Sequence, residues 1–378
     1  MIAEKREAAI ELDGADFRRR LMEWYGVEAR RLPWRGATDP YRIWVSEIML
    51  QQTRVAAVIE HYNEFLRRFP TLVSLSLASD AEVLTAWSGL GYYRRARMLH
   101  KAAQFIVLER DGRLPGSSGE LRTLPGIGEY TAAAIASIAF GEHVAVVDGN
   151  VERVILRLIG LAEEATAAGR AFVRAQAQAL LPEVTVLPGA AGNNPAGDHN
   201  QAMMELGAMV CLPRGPQCDR CPVYELCGTR GEHATPVRAA QRSVPAACLL
   251  DLRKRGTVTE ILLNLRAANA PVMPAMFELP ALPLAAVEGR EPVLRVRHSI
   301  TNTNYYVQVF TPQRPQPEGT AKRGRAAVRA LRGSIPKGAS DLHWVNVQRL
   351  PGIPLTGLAR KILQRLKVME PVRINVLG

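Results

Sequence analysis

Four of the five cysteines stand together in CLPRGPQCDRCPVYELC, as Cys211, Cys218, Cys221 and Cys227 with C-x6-C-x2-C-x5-C spacing. A thiolate set this compact can surround one metal centre, either an iron–sulfur cluster or a structural zinc, although zinc sites more often show two paired C-x2-C hooks. Cys248 lies outside the set, and an odd total argues against a disulfide framework. Two acids offer a second kind of chemistry. Glu47, in SEIMLQQT, stands among apolar residues of a helical pattern, where a carboxyl should have a raised pKa and suit a general acid. An ordinary surface Glu paired with an arginine is the structural alternative. Asp148, in HVAVVDGNVERVI, follows an apolar run and precedes a helical pattern, the usual place of an N-cap.

The elements that must hold these groups are mostly helical. Asp39 and Pro40 make an N-cap and first-turn pair, so DPYRIWVSEIMLQQTRVAAVIEHY is predicted as one long helix. Its packing stripe would be Ile43, Trp44, Ile48, Val55 and Ile59. Ser117 and Glu120 form a capping box for a short helix that Pro125-Gly126 ends, and Gly128 opens a second helix. Gly126 and Gly128 in LPGIG expose backbone N–H groups at a helix start, which suits a phosphate oxygen; a plain αα-hairpin is the alternative. Residues 1–15 read as an N-terminal extension and 16–230 as an all-α region, broken by an exposed loop at 189–200. A linker is predicted at 231–247. From 248 to 378 the pattern becomes α+β, with strands in VTEILLNL, VLRVRHSI and NYYVQVF, a mobile loop at 312–325 and a final helix from about Leu355 to Val368.

Forty-eight Lys and Arg against 36 Asp and Glu give a net charge of +12, which points to a polyanion or an acidic membrane surface as partner. The start resembles neither a secretory signal nor a transit peptide, and no run approaches a membrane span, so a soluble, intracellular protein is predicted.

The cysteine spacing is similar to that of the [4Fe-4S] loop in helix-hairpin-helix DNA glycosylases of the endonuclease III superfamily, and LPGIGEYTAAAIASIAFG (124–141) resembles their hairpin, at about 117–140. LPWRGATDPYRIWVSEIMLQQTRV is very similar to the signature of the adenine-specific mismatch glycosylases of the MutY type. That resemblance implies removal of adenine mispaired with 8-oxoguanine or guanine in double-stranded DNA. Glu47 would protonate the adenine and Asp148 would stabilise the positive charge at the sugar, with Tyr130 and Asn150 supporting the site. Gln52 and Tyr92, the latter in WSGLGYYRRARML, would enter the base stack. Gly126 and Gly128 would grip the backbone, beside a monovalent cation held by hairpin carbonyls. The four cysteines would ligate the cluster, with Arg214 and Arg220 offered to phosphate. The bifunctional lyases carry a lysine nucleophile after the hairpin; here Glu129-Tyr130-Thr131 stands there, which implies a monofunctional enzyme that uses water. An oxidised-pyrimidine glycosylase of the same fold and a non-catalytic iron–sulfur DNA-binding protein remain the alternatives.

The carboxy-terminal part resembles the family's Nudix-like lesion-reading domain through MFELPAL, VRHSITNTNYYVQVF and LHWVNVQRLPGIPLTGLARKIL, but without the acidic Nudix catalytic box. Recognition without pyrophosphate hydrolysis follows. Where family members carry Phe-Ser-His against the oxidised guanine, this chain has Ile300-Thr301-Asn302, so Thr301 and Asn302 are the candidate lesion readers. A monomer is expected.

Overall fold

The computed structural model describes residues 13–162, 166–183, 194–233, 241–300, 302–312, 331–336 and 341–370. Two compact units emerge: Met1–Ser76 with Lys101–Arg238, and Leu77–His100 with Ala239–Gly378. The second therefore takes in Leu77–His100, a stretch expected within the all-α region. The helices are α1 (Gly14–Glu28), α2 (Pro40–Leu50), α3 (Val55–Arg68), α4 (Leu72–Ser76), α5 (Asp80–Ala86) and α6 (Arg94–Glu109). They continue with α7 (Ser118–Leu121), α8 (Glu129–Phe140), α9 (Gly149–Leu158), α10 (Ala167–Ala179), α11 (Pro195–Met209) and α12 (Gly357–Arg365).

The predicted long helix is two helices. Asp39 caps α2 by accepting from Tyr41 N, as its position before Pro40 predicts. The chain leaves the helix at Gln51 and re-enters at Val55, with Gln52 at φ 56°. Thr53 N donates back to Leu50 O at 3.2 Å, and Gln51 Nε2 reaches Thr131 Oγ1 at 3.1 Å. Ile43, Trp44 and Ile48 are buried as expected; in α3 the buried positions are Val58, Tyr62 and Phe65, not Val55 or Ile59.

Helix α8 is buried from Thr131 to Ser137 and packs on α2 and α11. Its alanines allow that close approach on several sides. The predicted loop at 189–200 is helical from Pro195: Asn194 caps α11, accepting from Gly197 N at 2.9 Å and donating to Ser137 O and Ile138 O at 2.7 and 2.9 Å. Residues 189–193 lie outside the described residues. Helix α11 also buries His199, whose ring meets Phe17 edge-on at 6.3 Å between centroids and whose Nδ1 has no hydrogen-bond partner among the described residues. Burial, with the nearby Arg18 charge, pushes its pKa down to about 4. A histidine buried neutral contributes stability above its unfolded pKa that is lost as pH falls. We expect about 3 kcal/mol to disappear between pH ~6.5 and ~4, and His199→Leu to flatten that part of a urea-midpoint-against-pH curve.

The second unit contains two sheets. One has the order β5 (Ala281–Leu282), β1 (Arg242–Leu249), β7 (Thr303–Phe310), β6 (Leu294–Ile300); β1 runs parallel to β7 and β6 antiparallel to it. In the other, β3 (Val258–Leu265) pairs with β2 (Leu252–Arg255), β4 (Phe277–Glu278) and β8 (Asp341–Asn346), all antiparallel. The three predicted strands are β3, β6 and β7. Strand β1 begins at Arg242, inside the stretch expected as a linker. Its Pro245 fits because Arg242 N donates to Asn302 O on the β7 side and Leu249 N to Pro280 O on the β5 side. By that alternation the nitrogen of Pro245 faces away from β7, where β5 pairs only Ala247 and Cys248. Helix α12 is shorter than predicted, being capped by Thr356. Most of the loop predicted at 312–325 lies outside the described residues. Among them no helix is long and apolar enough to cross a membrane.

Candidate active site

Glu47 sits on α2 at 5% exposure. Across from it, Tyr130, at the start of α8, donates its hydroxyl to Glu47 Oε2 at 2.6 Å and lies 3.5 Å from Met204 Sδ. Burial pushes the Glu47 carboxyl up to about 7; the Tyr130 hydrogen bond pulls it down and the Asp148 charge pushes it up again. The carboxyl is therefore part-protonated at neutral pH, as a general acid must be. Burial, with the neighbouring carboxylates, holds the Tyr130 phenol well above its ordinary value, so it remains a donor.

Asp148 is the N-cap of α9, accepting at Oδ1 from Asn150 N and Val151 N at 2.9 and 2.8 Å. Asn150 Nδ2 donates to Oδ2 at 2.8 Å. Three donors thus fix the carboxylate's orientation. Asn150 is held in turn by Arg153, which donates to Asn150 Oδ1 at 3.0 Å, Gly207 O at 2.7 Å and Cys211 O at 2.7 Å. A Cβ added at Gly207 would lie 2.7 Å from Asn150 Cβ and 3.0 Å from its carbonyl oxygen. Gly207→Ala is therefore expected to shift Asn150 and with it Asp148, lowering any single-turnover rate that depends on the Asp148 carboxylate about tenfold or more.

Glu47, Tyr130, Asp148 and Asn150 line one cavity of about 790 Å³, with Gln52 and the hairpin glycines Gly126 and Gly128 also on its wall. Such a volume falls within the ~300–1,000 Å³ of small-ligand clefts. Trp34 and Leu32 give it apolar faces. It also contains a group that reading the sequence did not find. Glu205, buried on α11, accepts from Arg30 N, Nε and Nη2 at 2.9, 2.7 and 2.7 Å and from Arg35 Nη2 at 3.1 Å. Burial opposes its charge, but these hydrogen bonds win and bring its pKa to about 2. An acid among Met203, Met204 and Leu206, with two arginines in RRLPWR far upstream, was the available signal.

Cys211, Cys218, Cys221 and Cys227 line a single small cavity of about 30 Å³ and are all free. Arg157, buried beside it, donates to Cys211 Sγ at 3.3 Å and to the carbonyls of Leu212 and Pro213 at 2.7 and 3.1 Å; Arg230 N donates to Cys227 Sγ at 3.4 Å. Among the described residues no group of three or more His, Cys, Asp or Glu side chains stands in metal-holding geometry. The all-sulfur donor set and the N–H groups aimed at two of its sulfurs suit an iron–sulfur cluster. Arg214 and Arg220 are exposed.

The remaining predicted residues belong to the second unit. Tyr92 is 46% exposed at φ 47°. Like Gln52, it is a non-glycine residue in the left-handed region, a conformation concentrated at functional sites. Asn302 is exposed in the β6–β7 turn, and Thr301 lies outside the described residues.

Residues 45–175 match the HhH-GPD superfamily of base excision DNA repair proteins. The adenine DNA glycosylase of Mycobacterium tuberculosis is 38% identical over 260 residues, which cover 68% of this chain and 81% of that relative. The rat and human adenine DNA glycosylases are 45% and 44% identical over 226 and 225 residues, each alignment covering 57% of this chain but only 42% and 39% of the relative. The chain thus spans less than half the length of those two. Among solved structures, that of a thermostable thymine-DNA glycosylase matches with a TM-score of 0.51 at 27% identity, over 61% of this chain and 98% of that one.

Proposed function

From the premise that the chain belongs to the adenine DNA glycosylases of the HhH-GPD superfamily, we propose that it excises adenine mispaired with 8-oxoguanine or guanine, by monofunctional hydrolysis of the N-glycosidic bond. The observation that carries this reading is Glu47, buried and hydrogen-bonded to Tyr130 in the same pocket as Asp148.

The adenine enters the pocket rotated out of the stack, at a cost of a few kcal/mol. Glu47 delivers its proton to a ring nitrogen, so the base can depart neutral when the bond to C1′ breaks. Asp148, its orientation fixed by Asn150 and the α9 backbone, stabilises the oxocarbenium-like sugar. Water adds at C1′ and its proton passes to the Glu47 carboxylate, which restores the acid and leaves an abasic site. The helix after the hairpin turn carries Glu129-Tyr130-Thr131 and no lysine to form a Schiff base. Arg30 and Arg35, held in place by Glu205, supply fixed donors on the pocket wall with which a purine edge can be matched.

In the same reading, Cys211, Cys218, Cys221 and Cys227 hold a [4Fe-4S] cluster that braces a basic loop against phosphate. Gly126 and Gly128 offer backbone N–H groups to the DNA backbone, with a monovalent cation on the hairpin carbonyls. Gln52 and Tyr92 fill the gap left by the flipped base. The Nudix-like second unit reads the opposite base with Thr301 and Asn302, and the protein acts as a monomer.

The test is base release from duplexes carrying adenine opposite 8-oxoguanine, adenine opposite guanine, and thymine opposite guanine. Adenine release from the first two with no strand cleavage is the expected result. Thymine release alone, or no release at all, would remove the assignment.

A further inference from the structure

The loop that presents Tyr92 is built in an uncommon way. Gly89 and Gly91 have φ of 115° and 69°, and Tyr92 follows at 47°. A tyrosine held there costs on the order of 1 kcal/mol and persists only where its surroundings over-determine it. Part of the restraint is local. Fully buried Trp87 donates Nε1 to Gly91 O at 3.1 Å. The Arg95 guanidinium lies 5.4 Å from the Trp87 ring and 5.7 Å from the Tyr92 ring, and donates to Leu90 O and Gly91 O at 3.3 Å each.

The rest comes from the carboxy-terminal part of the same unit. Arg360, on α12, donates Nε to Ser88 Oγ at 2.8 Å; Ser88 Oγ in turn lies 3.4 Å from Leu355 O, which also accepts from Tyr93 OH at 3.0 Å. Ser88, Tyr93 and Arg360 are 8%, 3% and 7% exposed, so water cannot readily replace these bonds. Leu355 is fully buried in the core that contains Ile362 and Leu363 of α12. The tyrosine loop is therefore anchored to the interior of the carboxy-terminal fold, some 270 residues further along the chain.

We infer that Arg360 is a positioning residue for Tyr92: through Ser88 it fixes the loop whose ring is offered to the base stack. The inference rests on the reading of Tyr92 as an intercalating residue. A wedge must keep its place while neighbouring bases are forced apart, and a loop free to rotate would give back the energy spent on unstacking.

A double-mutant cycle on the full chain tests this, read by adenine release at subsaturating enzyme and by fluorescence of a 2-aminopurine placed beside the base opposite adenine. Arg360→Met keeps the aliphatic stem and removes the buried donor. It should lower release about tenfold and reduce the fluorescence change that accompanies intercalation. Tyr92→Leu should do the same. In the Tyr92→Leu background, Arg360→Met should cost nothing further in release, while its effect on thermal unfolding stays the same in both backgrounds. Losses that multiply, or a 2-aminopurine signal unchanged by Arg360→Met, would overturn the inference while leaving the Tyr92 reading intact. Wild-type release and fluorescence from Tyr92→Leu alone would instead remove the intercalation reading, and the inference with it. Should Arg360→Met fold poorly, Ser88→Ala breaks the same bond from the loop side and enters the same cycle.

Discussion

Glu47→Gln is expected to slow single-turnover adenine release by about 10²- to 10⁴-fold, the usual contribution of a general acid, with duplex binding retained. The amide fills the same space but has no acidic proton to deliver. The pH profile carries the more specific signature. Because burial, offset by Tyr130 and reinforced by Asp148, places the Glu47 carboxyl at about 7, wild-type release should decline above pH ~7 by about tenfold per pH unit as the proton is lost. In Glu47→Gln that limb should be absent. A profile that stays level to pH ~9 in the wild type would show that Glu47 does not carry the transferred proton.

The same residue should weaken the fold. Its folded pKa of about 7 lies above the ordinary 4.5, so between those values the native state holds a proton that the unfolded chain has shed. Stability therefore falls as pH rises through that window, and by neutral pH the cost is roughly 3 kcal/mol. Glu47→Gln should accordingly be more stable than the wild type at pH ~8, by a difference of that order, and no more stable below pH ~4.5. A glutamate serving only as a structural ion pair would show the opposite sign, which makes thermal unfolding at the two pH values an independent check on the kinetic result. Activity and stability are expected to move in opposite directions at this position.

What could be read from the sequence follows from the range of each signal. The Asp39-Pro40 start, the β3, β6 and β7 strands and the Asp148 cap are local, set by residues within a few positions of one another. The break between α2 and α3 is not: an apolar period runs through both, and nothing in Gln51-Gln52-Thr53-Arg54 itself forbids helix. What ends α2 there includes a bond from Gln51 to Thr131 on α8, about 80 residues away. Asn194 before Pro195 was a readable cap that the surrounding Gly and Asn obscured. Strand β1 carries a proline and three small residues, and its pairing with β7 along its whole length and with β5 at Ala247 and Cys248 makes it a strand. The chemistry divides in the same way. Glu47 and Asp148 announce themselves as acids in apolar settings, whereas Glu205 becomes recognisable only when Arg30 and Arg35 are brought to it from about 170 residues earlier.

Asp148→Asn should separate the two functions of the capping aspartate. Asn caps a helix about as well as Asp, so its amide oxygen can keep the bonds from Asn150 N and Val151 N. Release should still fall by about 10²- to 10³-fold, because the charge that meets the developing sugar cation is gone. A stability loss of about 1 kcal/mol is expected from a different source: the new amide nitrogen would face Asn150 Nδ2, two donors where one carboxylate oxygen now accepts. Rotating the Asn150 amide relieves that conflict only by turning its own NH₂ toward Arg153, which now donates to Asn150 Oδ1. Adding Asn150→Asp supplies an acceptor to both neighbours, and the double variant should regain most of the lost unfolding temperature. It carries the same net charge as the wild type, displaced by two residues. If its release stays near the level of Asp148→Asn, the reaction depends on where the carboxylate stands. Recovery of release together with stability would mean instead that Asp148 acts through the cap and its hydrogen bonds, and would remove it from the chemistry.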